Sequence, residues 1–310
     1  MLEGLTSFFT AAFFAAGVRL STPLILAAMG ALFSERSGVV NIGLEGMMLT
    51  GAFAGVVGAF YTGNAWLGIL IAMLAAGLMG LLHAFICVTI RGNQIVSGVA
   101  INILALGLTT YSTRILWGIQ EKPRVPGLAV WKIPLLGDIP FFGEVLFQHI
   151  PLVYLAFLIV PLAHFVLFRT SWGLSLRSVG EHPQAADTVG IDVLRTRYMC
   201  VVISGMLAGL GGAFLSIGQL QMFLEGMSAG RGWIALAAVI FGNWMPGKTL
   251  AACLFFGTAQ AATVRIPALN YSVPPQLLSM FPYLITLLAF VGLVGKSTPP
   301  AAIGKPYVKE

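Results

Sequence analysis

The sequence is poor in charge. Lysine, arginine, aspartate and glutamate make up 9% of its 310 residues, whereas 58% are hydrophobic. A water-soluble domain needs about a quarter of its residues charged to cover its surface. The scarcity therefore argues against a soluble enzyme and against a nucleic-acid-binding domain, and it predicts an integral membrane protein. The net charge of +6 then belongs to the loops between helices.

Cysteine is also scarce. Cys87, Cys200 and Cys253 lie in apolar runs without CxxC spacing, which favours buried thiols over disulfides or a metal site. The four histidines lack metal-ligand spacing, and neither H-E-x-x-H nor G-x-S-x-G occurs. We therefore expect no catalytic residue, no metal site and no cofactor bound by this chain.

Long apolar runs, in contrast, are abundant. A bilayer core about 30 Å thick needs about 20 apolar residues per helix. We predict nine spans, at 5–33, 41–62, 65–90, 93–119, 150–168, 198–219, 233–245, 248–264 and 274–294. The 37 glycines and 16 prolines favour closely packed, partly broken helices over a β-barrel. The predicted fold is an all-α membrane protein with discontinuous segments, forming one domain over residues 1–310.

Three of these windows are irregular. The first contains Arg19 and Pro23, so residues 5–18 are interpreted as an interfacial segment and the span is expected to begin near Arg19. The windows 233–245 and 248–264 are short, which indicates tilted or broken helices.

Basic residues indicate the orientation. The segment 169–197 carries four arginines and has low hydropathy, so we place it in the cytoplasm. Alternation of the spans then gives the other inner positions, which are Arg36, Arg91, Lys248 and the tail 295–310. The N-terminus and the loop 120–149 fall outside. This loop is rich in proline and therefore stiff; its aromatic residues suit the headgroup level, and docking of an external partner is the alternative.

Residues 242–249 read G-N-W-M-P-G-K-T, which fits the phosphate-loop pattern G-x-x-x-x-G-K-T. A working phosphate loop follows a strand of an α/β domain, and an acid on a second strand helps to hold Mg²⁺. Here the flanks are membrane-length apolar segments. We interpret the motif as a tight Pro-Gly turn between two helices, with Lys248 on the cytoplasmic side.

Two polar stretches carry more information. Residues 34–48 read S-E-R-S-G-V-V-N-I-G-L-E-G-M-M and interrupt two apolar spans. Asn41 has the chemistry to cap a helix, and Glu45 complements the helix dipole one turn further on. The alternative is that a discontinuous helix exposes both residues to a central polar pathway.

Polar groups inside the spans are candidates to line such a pathway. They are Asn41, Glu45, Asn93, Gln94, Ser97, Asn102, Ser204 and Gln219. Uncharged hydrogen-bonding groups in this number suit a neutral polar solute such as a nucleoside; helix packing is the alternative for each. Glu225 and Arg231 flank an outer break, and pairing with each other is the alternative for these two residues.

The second stretch, 172–197, contains a predicted short helix from His182 onward. Pro183 suits the first helical position, and Gly190 suits the C-terminal cap. Charges flank this helix on both sides, so it has no bilayer to enter. Docking to another protein is the favoured interpretation, and a plain interfacial helix is the alternative.

Three motifs in order resemble those of ABC importer permeases. They are the stretch 34–48, the stretch G-E-H-P-Q-A-A-D-T-V-G-I-D at 180–192, and G-M-S-A-G-R-G-W-I-A-L-A-A-V-I-F-G at 226–242. The resemblance covers nearly the whole chain. It is to the family that holds branched-chain amino acid, ribose-type sugar and nucleoside permeases, and it is closest to the nucleoside-type branch.

This resemblance implies a type II ABC importer-like permease in a bacterial-type plasma membrane. It implies three partners: a second related permease, a cytoplasmic ATPase that binds ATP and Mg²⁺, and an extracytoplasmic substrate-binding lipoprotein. It also implies a helix that docks into the ATPase, formed by Glu181, His182, Pro183, Ala185, Ala186, Val189 and Gly190. The expected function is nucleoside uptake.

The sequence bears on two other function classes, of which an ion-driven transporter is the alternative. An ion-driven secondary transporter needs acidic relays inside the membrane, and Glu45 is the one candidate well inside a predicted span. An intramembrane enzyme needs a nucleophile and a base, and no such constellation occurs in the sequence.

Overall fold

The structure is a computed structural model, which describes residues 10–118, 121–268, 280 and 297–308. Nearly all its elements are helical. In chain order they are α1 (Ala11–Arg36), α2 (Leu44–Thr62), α3 (Ala65–Ala84), α4 (Gln94–Trp117), β1 (Trp131–Lys132), α5 (Phe142–Leu146), β2 (Gln148–His149), α6 (Pro151–Arg169), α7 (Ser171–Glu181), α8 (Pro183–Thr188), α9 (Val193–Ala213), α10 (Arg231–Phe241) and α11 (Pro246–Ala268). π-Helical turns at Phe85–Thr89 and Phe214–Leu220 extend α3 and α9.

Seven helices of the described ranges are long and apolar enough to cross a bilayer. They are α1, α2, α3, α4, α6, α9 and α11. Helix α10 has 11 residues, which at 1.5 Å each gives about 16 Å, too short for a bilayer core of about 30 Å. The predicted window 274–294 lies outside the described residues. The predicted count of nine spans is therefore not confirmed, although the helical membrane fold is.

Two window interpretations are wrong. Helix α1 runs without a break from Ala11 to Arg36, so residues 11–18 belong to the same helix as Arg19 and not to a separate segment; residues 5–9 lie outside the described residues. The hydroxyls of Ser21 and Thr22 donate to backbone carbonyls one turn back, at 2.6 and 2.9 Å, in the turn that precedes Pro23. The window 248–264 belongs to the 23-residue α11 and is not short.

Helix α1 lies at the centre of the described bundle. Every residue from 21 to 35 is buried, and the helix packs against α6, α9, α10 and α11. The three cysteines, Cys87, Cys200 and Cys253, are buried as free thiols, as predicted.

Helices α2, α3 and α9 pack through small residues. A Cβ added to Gly51 of α2 would lie 2.6 Å from the carbonyl oxygen of Gly209 in α9. A Cβ on Gly205 would lie 2.5 Å from the carbonyl oxygen of Ala76 in α3, and one on Gly80 would lie 2.8 Å from a backbone oxygen of α9. Backbones therefore meet directly, which agrees with the closely packed helices expected from the glycine content.

The regions predicted to share the cytoplasmic side do lie at one end of the bundle. The Ala302 amide donates to the Gly180 carbonyl at 2.9 Å. The Arg36 guanidinium donates to the Trp244 carbonyl at 3.0 and 2.9 Å. These bonds bring together the tail, the segment 169–197, the end of α1 and the turn before α11.

The loop at the other end contains a small folded unit. Strands β1 and β2 pair antiparallel, with Trp131 opposite His149. The ring of Phe141 packs against Phe14 of α1, with centroids 5.8 Å apart. Leu135 is 87% exposed. Exposed apolar side chains in this unit agree with the prediction of residues at the headgroup level, which stays a prediction.

Candidate functional site

The chain between α1 and α2 leaves the helical path and turns into the bundle. Helix α1 ends at Arg36, Gly38 has a left-handed φ of 92°, and α2 begins at Leu44. The Ser34 hydroxyl donates to the Val39 carbonyl at 2.7 Å and fixes the exit of the chain from α1. We call residues 37–43 the first break.

Side chains of α3 and α4 bind the backbone of the first break. The Gln94 side-chain oxygen accepts from the Val40 amide at 2.8 Å. His83 Nε2 lies 3.1 Å from the Val40 carbonyl oxygen, and His83 Nδ1 lies 2.9 Å from Ser97 Oγ. A neutral ring with its proton on Nε2 satisfies both partners. The backbone groups of Val40 are thus paired where water is scarce.

Asn102 extends this pairing further along α4. Its Nδ2 donates to the Ile42 carbonyl at 3.0 Å, and its Oδ1 accepts from the Gly46 amide at 2.8 Å. Asn102 lies eight residues beyond Gln94 in α4, which is about 12 Å at 1.5 Å per residue. The first break therefore runs alongside the first turns of α4 before α2 begins.

Asn41 is fully buried and faces α9. Its Nδ2 donates to Ser204 Oγ at 2.9 Å, and its Oδ1 has no partner among the described residues. The residue before α2 is Gly43, with no side-chain cap. The expectation that Asn41 caps α2 is therefore wrong: its amide joins the first break to α9.

A second break connects α9 to α10. Residues 221–230, which we call the second break, contain left-handed φ values at Gln221, Gly226, Ala229 and Gly230. Such values produce tight turns and leave backbone N–H groups without helical partners. The second break starts at the outer end of α9 and ends at the start of α10.

Glu45 joins the two breaks. Its carboxylate oxygens accept from the Gly230 amide at 2.7 Å and from the Gly232 amide at 2.6 Å. These amides begin α10, where backbone N–H groups and the helix dipole favour negative charge. A Cβ on Gly232 would lie 2.5 Å from the Glu45 backbone nitrogen, so only glycine permits this approach. One half-buried carboxylate thus fixes α2 against α10.

The outer charged residues pair differently from the prediction. Glu225 bonds to Arg114 of α4, with Arg114 Nη2 and Glu225 Oε2 3.1 Å apart. The hydrogen bond from Arg114 lowers the pKa of Glu225. Arg231 Nη1 instead donates to the carbonyls of Met227 and Ser228, at 3.1 and 3.2 Å. The alternative pairing of Glu225 with Arg231 is wrong, because the guanidinium caps the turns of its own segment.

Most predicted pathway residues lie around the first break. This group contains Asn41, Glu45, Gln94, Ser97, Asn102 and Ser204. Asn93 instead caps α4 by accepting from Ile95 and Val96 amides. Gln219 borders an outer groove with Arg19 and Arg265, about 400 Å³ in volume. Contact with a transported solute stays a prediction for all eight.

Sequence reasoning missed two parts of this arrangement. His83 is one of the four histidines without metal-ligand spacing, and its bond to the first break has no local signature. The amides of Gly230 and Gly232 were not recognised as partners of a carboxylate. The glycine-rich run 226–232 was the available signal, because closely spaced glycines permit exposed amides and close approach.

The predicted docking helix has the expected form. Helix α8 begins at Pro183, and Gly190 follows its end with a φ of 86°. The Gly190 amide donates to the Asp187 carbonyl and the Ile191 amide to the Ala186 carbonyl, at 2.9 and 3.0 Å. This pair of bonds is a Schellman motif, in which glycine takes the left-handed position.

The seven predicted docking residues divide between two faces. Pro183 and Ala186 point inward and are buried. The others are exposed, namely Glu181, His182, Ala185, Val189 and Gly190. Val189 is 74% exposed. The Glu181 carboxylate also accepts from the Ala301 amide at 3.1 Å. The outward face therefore exposes an apolar side chain, that of Val189, and a charged one, that of Glu181.

Comparison with known proteins decides the family. The model of the family described as branched-chain amino acid transport system / permease component matches residues 13–290. The chain belongs to this permease family.

Several relatives of this permease have names that state a transport role. The guanosine ABC transporter permease protein NupQ of Bacillus subtilis (strain 168) is 44% identical, over 93% of this chain and 94% of its own. The nucleoside ABC transporter permease protein NupC of Lactococcus lactis subsp. cremoris (strain MG1363) is 40% identical, over 93% and 94%. The putative glucose ABC transporter permease protein TsgC13 of Haloferax volcanii is 38% identical, over 90% of each.

The relatives include permease proteins that share a name for one system. The same Bacillus subtilis strain has the guanosine ABC transporter permease protein NupP, 29% identical over 83% of this chain and 73% of its own. Two different permease chains thus carry the same transport name, and both are similar to this permease.

The phosphate-loop pattern of this permease has another structural cause. Residues 231–241, which would have to be a strand, form helix α10. Asn243 and Trp244 take left-handed φ values of 49° and 52° in a tight turn, and Lys248 is exposed in the first turn of α11. The interpretation as a turn between two helices is confirmed. The relatives are transport components of ABC systems, which agrees with a permease that is not itself the ATPase.

Proposed function

We propose that this permease is the membrane-spanning subunit of an ATP-driven importer of nucleosides. A second related permease completes the translocation path. A cytoplasmic ATPase binds ATP and Mg²⁺ and supplies the energy, and a substrate-binding lipoprotein delivers the solute from outside. The complex lies in a bacterial-type plasma membrane. Family membership and the names of NupQ and NupC support this assignment.

The meeting of the two breaks at Glu45 carries the proposal. Non-helical backbone inside a bilayer persists only where other groups satisfy it or where it borders a polar cavity. Here the first break leads in from the cytoplasmic end, the second leads in from the outer end, and one carboxylate joins them. Broken helices that meet at membrane depth are the usual construction of a transport site.

The chemistry around the first break fits an uncharged solute. The side chains there are amides and hydroxyls, together with one histidine, and Glu45 already has backbone partners for both oxygens. Such groups suit nucleosides and sugars alike. The nucleoside names of NupQ and NupC favour nucleosides, whereas the name of TsgC13 makes glucose the control substrate.

The two acids inside the bundle, Glu35 and Glu45, argue against an ion-driven transporter. A proton or Na⁺ relay needs a carboxylate that exchanges partners during the cycle. Glu45 is held by two backbone amides, and Glu35, at the end of α1, accepts from Trp244 Nε1 at 2.5 Å. Both acids have fixed bonds that position helices.

The outward face of α8 is proposed to dock on the ATPase. Ala185 and Val189 supply its apolar part, and Glu181 and His182 lie beside it. The inward residues Pro183 and Ala186 hold α8 in place and would not touch the partner. A substitution that tests docking must therefore change the outward face.

Uptake by the reconstituted complex tests the assignment. The complex, purified with its partners, is placed in liposomes, and labelled guanosine uptake is measured with ATP and with a non-hydrolysable analogue. We expect uptake that needs ATP hydrolysis, survives a proton ionophore, and is reduced by unlabelled nucleosides but not by glucose or leucine. Competition by glucose alone would identify a sugar permease, and ionophore-sensitive uptake without ATP would identify an ion-driven transporter.

A further inference from the structure

A stretch near the end of the chain lies against the cytoplasmic ends of several helices. We call residues 297–308 the tail clasp. The Thr298 amide donates to Asn243 Oδ1 at 2.8 Å, in the turn between α10 and α11. The Gly304 amide donates to the Gly38 carbonyl at 3.1 Å, in the first break. The tail clasp therefore connects two turns that are distant in sequence.

The tail clasp also holds the segment that contains α7 and α8. The Ala302 amide donates to the Gly180 carbonyl at 2.9 Å, at the end of α7. Tyr307 is buried in a small cluster whose other members are Val179, Ala186 and Val193. The inward face of α8 thus rests on the tail clasp, while its outward face is exposed.

Arg197 joins three parts of this region. It is the fifth residue of α9 and is 1% exposed. Its Nε donates to the Ser37 carbonyl at 3.2 Å, and its Nη1 donates to the Lys305 carbonyl at 3.1 Å. A Cβ on Gly38 would lie 2.9 Å from Arg197 Nη2, so glycine makes room for the guanidinium.

A buried arginine is costly unless hydrogen bonds compensate its charge. Its planar fork also fixes the directions of its partners more strictly than an ammonium group does. Arg197 therefore sets the position of the first break relative to α9 and the tail clasp. A residue kept only for packing would not need to carry this charge.

We propose that Arg197 and the tail clasp transmit movement of α8 to the first break. One route of hydrogen bonds runs from Gly180 through the tail clasp to Gly38. The other runs along α9 to Arg197 and from there to Ser37. Both end in the first break, which leads to Glu45. Arg197 is a positioning residue, and this inference rests on the proposed function, because it takes α8 as the point where the ATPase acts.

The experiment compares transport with ATP consumption in the reconstituted complex. We expect Arg197→Met to lower the amount of guanosine transported per ATP hydrolysed at least tenfold. Arg195→Ala is the matched control, because Arg195 is exposed two positions earlier in α9 and uses only its backbone amide for the bond to Asp192. It should leave the ratio unchanged.

Deletion of residues 297–310 provides an independent variant. It should also lower the transport ratio, whereas Lys305→Ala should not, because Lys305 bonds to Arg197 through its carbonyl. In the combined variant, Arg197→Met should lower the ratio further than the deletion alone, because the deletion interrupts the first route and the substitution interrupts the second.

An unchanged ratio in Arg197→Met and in the deletion would overturn the inference. So would a loss of assembled complex in both without a lower ratio, because that outcome shows a purely structural role. A wild-type complex without ATP-dependent nucleoside uptake would instead overturn the proposed function, and the inference with it.

Discussion

Replacement of Glu45 by glutamine tests the junction between the two breaks. The carboxylate accepts two backbone hydrogen bonds, from Gly230 and Gly232, and bonds to a charged group contribute about 1.5–3 kcal/mol each. Glutamine retains one acceptor oxygen, loses the charge at the start of α10, and turns an NH₂ donor toward an amide. Because Glu45 is half-buried, we expect a net loss of about 2 kcal/mol of folding free energy.

This loss of folding free energy is measurable as a lower melting temperature. A change of 1 kcal/mol shifts the midpoint by about 2–4 °C in chains of 150–250 residues. At the lower end, appropriate to this longer chain, Glu45→Gln should melt about 4 °C below the wild type in detergent. Glu144→Gln is the matched control, since Glu144 is an exposed acid in the first turn of α5; it should shift the midpoint by about 1 °C or less.

Guanosine uptake is the second measurement on the Glu45→Gln variant. If Glu45 fixes α2 against α10, guanosine uptake should fall together with the melting temperature. A Glu45→Gln protein that melts with the wild type and transports normally would refute the junction. A normal melting temperature with abolished uptake would refute the structural calculation and give the carboxylate a direct role in transport.

Three further predictions follow from the fold. Val189→Asp, on the outward face of α8, should reduce ATP-dependent uptake at least tenfold while the protein still inserts normally. Leu135→Asp, in the outer loop, is the control and should not reduce uptake. Normal uptake by Val189→Asp would contradict the docking assignment. Gly209→Ala should lower the melting temperature by several degrees, because its Cβ would lie 2.7 Å from the Ala72 carbonyl oxygen. Gly107→Ala is the control and should not lower it, because the space around Gly107 is open. Equal melting temperatures for the two variants would contradict the glycine crossing. Lys248→Ala should leave ATP binding and hydrolysis by the complex intact, and a loss would restore the phosphate-loop interpretation.

Apolar length and local turn chemistry predicted the helices but not their pairings. The window containing α2 and the limits of α8 follow from residues within a few positions of each other, such as Pro183 and Gly190. The hydrogen bond that the Gly230 amide donates to Glu45 joins residues 185 positions apart. No local period encodes such a contact, so the sequence singled out the Glu45 carboxylate without its partners.

Arg19 shows a second limit. A charge inside an apolar window suggested that the span begins there, yet α1 continues through it. A helix in lipid satisfies its own backbone and gains nothing by ending at one arginine. The side chain of Arg19 instead borders the outer groove, a location that depends on where α11 packs.

The glycine crossing of α2, α3 and α9 restricts how this permease can move. Helices that slide past one another do so by exchanging side-chain rotamers at their contact, but here main chain meets main chain and there are few rotamers to exchange. We expect α2, α3 and α9 to move as one rigid unit. A change between outward and inward access must then occur at the borders of this unit, where the chain is not helical. The hinges that cost the least free energy are therefore the first break and the second break.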